Sequence, residues 1–456
     1  MNEFLKRIYN ACEPYEPATP EYYYDCAEVR GHNALAQRFL SHLNLSDDNI
    51  RFLFSGHVGS GKSSELEQLR HALANPTPPC KRYFPVLLNI IEYLDDFDVA
   101  PSDILLAIVT EMSATLRKDA GIELKDNYFV KRINEFKSAL FSDVEINEAE
   151  VSLGVLKTTI QRLRRDPVAR DQVRAALEPR MSRVLEEVNL VFDRARLEIK
   201  KLKVKAGEQP YTDFVLILDN LEKIQRTSDK KEGLEAQREL FLERAPQLTA
   251  LKAHVIYTVP LQIARSDGPQ LKQRYGVEPF VLPMIKIFER GTTQMFPDGD
   301  EIMRALLQKR LGDLSLTGVF EEAALEFLLK YSGGHVRSLM TFVQEACSYA
   351  TSLPITLEAA HRAIQQTART YSTAILESHW AKLAQLDRSD AQKIENGDQD
   401  YLLMLEQLSV LEYMDGGDGG PFEVEDVEPW YAVNPIVREL QKFKAAAAAL
   451  SRISTL

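Results

Sequence analysis

Residues 56–63 read GHVGSGKS, with Gly56, Gly61, Lys62 and Ser63 at the spacing G-x-x-x-x-G-K-S. Glycines at Gly56, Gly59 and Gly61 let the backbone bend until its N–H groups point inward. A phosphate then rests on the loop and on the N-terminus of the next helix, where the helix dipole also favours an anion. In such a loop Lys62 reaches the β- and γ-phosphates, and Ser63 ligates a magnesium ion. His57, Val58, Ser60 and Ser64 supply the rest of the expected cradle. The pattern needs a strand before it and a helix after it. RFLFSG is a short apolar run and KSSELEQLRHAL has helical spacing, so both are present.

A magnesium nucleotide also needs a carboxylate. DFVLILD, residues 213–219, closes an apolar run on Asp219. An acid at the carboxyl end of a strand lies over the crevice where open sheets bind ligands. Its expected role is magnesium coordination through water. Glu222 is placed to orient or deprotonate an attacking water; a solvated helix position is the competing reading. Thr258 ends the run VIYT, where its hydroxyl meets either a phosphate or a turn. Gly333 and Gly334 break one helix, and Arg337 falls in the first turn of the next. A cation gains nothing from the dipole there, which invites a bound anion; a surface salt bridge is the alternative.

The elements that must position these residues follow from periodicity. Besides RFLFSG, apolar runs at 83–90, 213–219, 253–259 and 280–287 read as strands, with Pro283 marking an edge. Helical stretches alternate with them, which argues for a parallel sheet. Residues 120–208 interrupt the alternation as a charged helical insertion. Its apolar residues Leu177, Met181, Val184, Val188, Val191, Ala195, Ile199 and Leu202 form a stripe at steps of three and four. That stripe is either a packed lid or a partner-binding arm. The borders expected are an N-terminal segment 1–30, a nucleotide domain 31–291, a helical lid 292–385 and a winged-helix-like unit 395–456. The last consists of helix, strand, glycine-rich tip, strand and helix, the final helix opening at Asn434–Pro435.

The chain has 456 residues, 45% apolar and 27% charged, ordinary for a globular protein of several domains. Its net charge of -12 disfavours nonspecific binding to nucleic acid or anionic membrane. The four cysteines form no C-x-x-C pair and read as free thiols. The start MNEFLKRIYN lacks a secretion signal, and no apolar run reaches the ~18 residues of a membrane span. The expected setting is the cytoplasm.

In this order the phosphate loop, LILDNLE, the Thr-ending strand and GGHVRSL resemble AAA+-type ATPases, and within them the STAND and origin-recognition relatives. The resemblance spans about residues 25–440 apart from the insertion, and implies a helical lid and a C-terminal winged helix. It also implies ATP and Mg2+ as ligands of Lys62, Ser63 and Asp219, with Thr258 and Arg337 at two sensor positions. EVRGHN, residues 28–33, is similar to a box near the adenine, which puts Arg30 there. Many members carry Glu directly after the metal-binding Asp, but here it is Asn220, which leaves Glu222 as the base or makes hydrolysis slow. Arg265 and Arg290 are candidates for an arginine finger acting on a neighbouring copy in a homo-oligomer.

From Glu412 to Glu428 the proposed wing carries seven carboxylates and no Lys or Arg. DNA affinity rests largely on cations meeting phosphates. The expectation is therefore a signalling or defence switch that engages a partner protein, with nucleic acid disfavoured. A DNA-associated loader is the alternative, and a small-molecule kinase stands third. The basic run RARLEIKKLKVK, residues 194–205, reads as a solvated helix face or a nucleic-acid contact.

Overall fold

Five apolar runs become strands in the computed structural model: β1 Arg51–Gly56, β2 Arg82–Asn89, β3 Tyr211–Asp219, β4 His254–Thr258 and β5 Phe280–Leu282. The residues described are 3–31, 34–77, 79–95, 98–124, 160–161, 163–203, 207–225, 227, 231–395, 397–416 and 428–453. The sheet order is β2-β3-β4-β1-β5. β1 runs parallel to β4, β4 to β3 and β3 to β2. The last six residues of β3 and all of β4 are buried, as expected of parallel strands covered on both faces. β5 is shorter than the apolar run suggested. Pro283 has no N–H to continue the ladder. Beyond it, Met284 N–H donates to Glu412 O (2.9 Å) and Lys286 N–H to Val29 O (3.0 Å).

The chain divides into two compact units. One comprises Met1–Leu35, Gly56–Gln68 and Val281–Leu456; the other comprises Ala36–Ser55 and Leu69–Phe280.

The second unit holds most of the sheet. Its core joins Phe84, Val86, Leu88, Leu216 and Leu218 to the helix Pro101–Ala120, whose residues from Pro101 to Thr110 are all buried. The helix Met181–Lys200 adds Val184, Val188, Val191, Phe192, Ala195 and Ile199 to the same core. The stripe of the insertion is thus a packing surface. Phe192 meets Phe214 of β3 edge-on at 5.4 Å. Pro179 lies in a 3-10 turn, Glu178–Arg180, directly before the helix. The helix Pro167–Leu177 is held by two arginines. Arg170 binds Asp95 and Asp98, and Arg174 binds Asp98 and Asp103. Residues 125–159 of the insertion, and Val204 and Lys205 of its basic run, lie outside the described residues.

In the first unit the helices Pro297–Leu311, Glu322–Ser332, Val336–Tyr349 and Leu357–Ala374 enclose Leu307, Leu328, Leu339, Val343 and Ala360. An N-terminal helix, Glu3–Ala11, adds Leu5 and Ile8 to this core. The C-terminal part has the helices His379–Arg388 and Gln399–Glu406, then antiparallel β6 Val410–Tyr413 and β7 Trp430–Val433, then Pro435–Glu439 and Gln441–Ile453. Asn434 caps the first of the last two helices, its Oδ1 accepting from Ile436 N–H at 3.0 Å. These elements form a winged-helix-like unit. Cys12, Cys26 and Cys347 are buried free thiols, each pushed up to about 12 by burial. Among the described residues no helix is long and apolar enough to cross a membrane.

Packing of the insertion has a measurable consequence. Phe192→Ala is expected to lower the stability of the second unit by about 3–5 kcal/mol, because a large ring leaves a cavity. Urea unfolding of the variant measures this, and a loss below about 1 kcal/mol would mean the helix is not held by its core.

Candidate nucleotide-binding site

The glycine loop leaves β1 at Gly56 and enters the helix Lys62–Ala74. Gly56, Gly59 and Gly61 have φ of 148°, 86° and 106°, a region other residues rarely occupy. Gly59 is also closed in sterically. A Cβ there would lie 2.6 Å from His335 Nε2 and 2.8 Å from Arg337 Cβ.

Side chains of the first unit hold the loop. Arg30 is buried, donating from Nη2 to Ser60 O at 2.7 Å and from Nη1 to Pro283 O. His335 donates from Nε2 to Val58 O at 2.9 Å. Its Nδ1 caps the helix Val336–Tyr349 by accepting from Ser338 N–H at 3.3 Å, and lies 2.6 Å from Ser338 Oγ. Arg337 N–H donates to Gly59 O at 3.2 Å. His57 faces the winged-helix-like part: its Nε2 accepts from Glu412 N–H (3.1 Å) and its Nδ1 donates to Leu405 O (3.0 Å). Lys62 Nζ donates to Gly56 O (2.9 Å) and His57 O (3.1 Å).

Burial, together with His57, Arg337 and Arg30 nearby, pushes the His335 imidazole down to about 3. A folded-state value below the ordinary 6.5 means that acid favours the unfolded chain. The contribution is full above that value and drains as pH falls from it towards 3.

The N-terminal segment lies along this site. Ser64 Oγ accepts from Ala18 N–H (2.9 Å), and Glu65 accepts from Tyr23 OH (3.0 Å). Arg337, expected to meet an anion, donates from Nε to Pro14 O (3.1 Å) and lies over the Tyr15 ring at 5.3 Å. Arg30, expected near the adenine, grips backbone carbonyls instead, while His32 and Asn33 of the same box lie outside the described residues.

In the second unit, Phe54 pairs with Thr258, Leu218 with Tyr257 and Asn89 with Asp219. The carboxyl ends of β1, β4, β3 and β2 therefore share one edge. Asp219 is buried and accepts from Asn220 N–H at 2.8 Å. Asn220 has φ of 65°, and its side chain donates to Asn89 Oδ1 at 2.8 Å. Thr258 is fully buried; its Oγ1 donates to Leu218 O (3.1 Å) and accepts from Leu221 N–H (3.0 Å). Glu222 sits half-buried in the 3-10 turn Leu221–Lys223. The Ser63 hydroxyl and Asp219 carboxylate are hard oxygen donors of the kind Mg2+ takes.

A glycine loop now stands between the first parallel strand and a helix, on a β2-β3-β4-β1-β5 sheet, with the start of a lid helix against it. The fold is that of an AAA+-type P-loop ATPase. No protein-family model matches the chain, and no curated protein does. Solved structures with a similar course of chain exist. The Orc1 protein of Aeropyrum pernix in complex with DNA is 11% identical at a TM-score of 0.39, covering 98% of this chain and 97% of that one. A Walker-type ATPase of Pyrococcus abyssi is 14% identical at 0.39, covering 91% and 98%. Drosophila ORC bound to DNA is 12% identical at 0.40, covering 98% and 92%. Likenesses this distant carry no residue's role across to this chain.

One expectation is corrected. Nucleic acid was disfavoured because of the acidic wing, a count that takes every carboxylate there as unpaired. Among the described wing residues that assumption does not hold. Glu412 is buried, Asp415 pairs with Lys286 at 3.1 Å and lies 3.8 Å from Arg290, and Glu428 pairs with Lys393. Asp418, Glu423, Glu425 and Asp426 lie outside the described residues.

Sequence reasoning missed His335. Its one signal was position: it follows two glycines at the start of a helix, where a capping side chain is needed. Gly59→Ala is expected to weaken ATP binding more than about tenfold, since the new methyl group must displace the lid helix or distort the loop. Calorimetric titration measures this; wild-type affinity would show that the loop tolerates a Cβ.

Proposed function

We propose that this chain is an ATP-dependent switch ATPase, in which occupancy of the phosphate loop is passed to the lid and the winged-helix-like part. One observation carries the reading: the same short loop touches His335 and Arg337 of the lid and, through His57, the backbone at Leu405 and Glu412. A change in the loop therefore reaches both C-terminal parts without an intermediary.

Lys62 supplies the first step. Its ammonium rests on two neutral carbonyls, and a polyphosphate is a stronger, charged partner. Ser63 and Asp219 are proposed to hold Mg2+, which when bound offsets the phosphate charge. Glu222 is proposed to orient the attacking water; Asn220 has no basic group to offer. Thr258, whose hydroxyl bonds the turn before Glu222, is proposed to place that carboxylate. Arg337, whose Nε serves Pro14 O, is proposed to meet the γ-phosphate.

The output has two readings. A DNA-associated loader is favoured over a purely protein-directed switch, because Asp415 and Glu428 of the acidic wing are paired with lysines and similar folds are described with DNA. A partner protein or a second copy is the other.

Lys62→Ala is expected to abolish ATP binding in a titration, and unchanged binding would sink the reading. Glu222→Gln should bind ATP normally and lose turnover at least about a hundredfold, the scale of general-base catalysis; wild-type turnover would remove Glu222 from the mechanism. Duplex DNA binding, measured with ATP and ADP across salt concentrations, separates the outputs. A loader shows a steep, nucleotide-dependent salt slope, and a protein-directed switch shows none.

A further inference from the structure

Three consecutive carbonyls of the phosphate loop are each gripped from outside. Val58 O receives His335 Nε2 (2.9 Å), Gly59 O receives Arg337 N–H (3.2 Å), and Ser60 O receives Arg30 Nη2 (2.7 Å). A trans peptide is planar, so its C=O and the N–H of the next residue point to opposite sides. Holding those three oxygens outward turns the N–H groups of Gly59, Ser60 and Gly61 to the inner side. Ser60 shows the result: its N–H donates to His57 O at 3.2 Å, the oxygen that also receives Lys62 Nζ. Amide and ammonium already converge on one acceptor, where a phosphate oxygen would gain both.

We infer that Arg30, His335 and the Arg337 backbone are the positioning groups of this cradle, setting its inner amides by gripping its outer carbonyls. This rests on the nucleotide-binding reading above and deepens it. His335 is suited to the task in a way the usual capping residues are not. One nitrogen accepts at the start of the helix Val336–Tyr349, and the other donates to the loop. A neutral imidazole does both at once, from opposite sides of one ring. Asp or Asn caps a helix equally well but lacks a donor at that reach. Arg30 likewise serves two carbonyls, Ser60 O from Nη2 and Pro283 O from Nη1, with the fixed fork of a planar guanidinium that a lysine's rotating point charge does not reproduce. The gripped amides serve phosphates that ADP and ATP share, so both nucleotides depend on them.

The test uses the full-length chain, ATP and ADP. His335→Asn keeps a helix cap and loses the loop donor. ATP and ADP affinities are expected to fall by the same factor, roughly 3- to 15-fold, the worth of one net hydrogen bond. KM for ATP should rise with kcat within about twofold, as for lost uniform binding. Hydrogen exchange across residues 57–63 of nucleotide-free protein should quicken, while the thermal midpoint holds. Arg30→Lys should do the same, and it decides the matter if the first variant misfolds. Wild-type affinity and wild-type exchange in a folded variant would overturn the inference. So would nitrogen NMR finding His335 protonated at Nδ1, or titrating between about pH 5 and 8. If wild type bound no nucleotide while the variants still loosened the loop, the functional reading would fall and the grip would stand.

Discussion

A single methyl group does not fit at Gly59, and much of the first unit is arranged around that fact. The backbone there has a φ of 86° and passes close enough to the lid for His335 Nε2 and Arg337 Cβ to occupy the place of a Cβ. Close approach lets a lid residue bond the loop's backbone instead of its side chains. Backbone bonds fix peptide orientation, and in an anion-binding loop peptide orientation is the active feature. Because the same helix start carries Arg337, the lid cannot shift without disturbing the loop. The reverse holds as well, which is the coupling a nucleotide switch requires.

Much of the fold was legible because it depends on local pattern. Buried parallel strands read as unbroken apolar runs, and the glycine loop has fixed spacing. The insertion stripe gave its helix for the same reason, with Val184, Val188, Val191, Ala195 and Ile199 all entering one core. What stayed hidden depends on residues far apart in sequence. Nothing in EVRGHN says that Arg30 meets Ser60 O and Pro283 O, 30 and 253 residues away. Nothing in the polar N-terminus says that Glu3–Ala11 packs under the lid, or that Tyr23 bonds Glu65. β5 was misjudged in length because its apolar run continues past Pro283, while the missing N–H ends the ladder.

The acidic wing shows how a charge count misleads. Summing carboxylates along a stretch assumes that each faces solvent and lacks a partner. Glu412 lies in β6, whose residues are all buried, and its backbone N–H serves His57. Asp415 and Glu428 face lysines whose positive charge offsets theirs. At a surface such pairs contribute little stability, but they do cancel field. The sign of a surface follows from which charges remain after pairing, and that is a property of the fold.

Asn220 looked like a departure that weakens catalysis, and the backbone supplies a cause for it. The chain must turn directly after Asp219, and Asn220 does so with φ of 65°. Asn tolerates that conformation through its short polar side chain, whereas a longer residue is penalised by about 1–2 kcal/mol. Its amide then bonds Asn89 at the end of the neighbouring strand. Thr258 bonds the next residue, Leu221, from the other side. The turn is thus pinned from β2 and from β4, and Glu222 follows it on a short 3-10 segment. On the proposed reading, the residue after Asp219 is given over to geometry, and base function passes to the first acidic side chain beyond the pinned turn. A carboxylate held this way is placed by the sheet itself, so it need not depend on a neighbouring copy for its position.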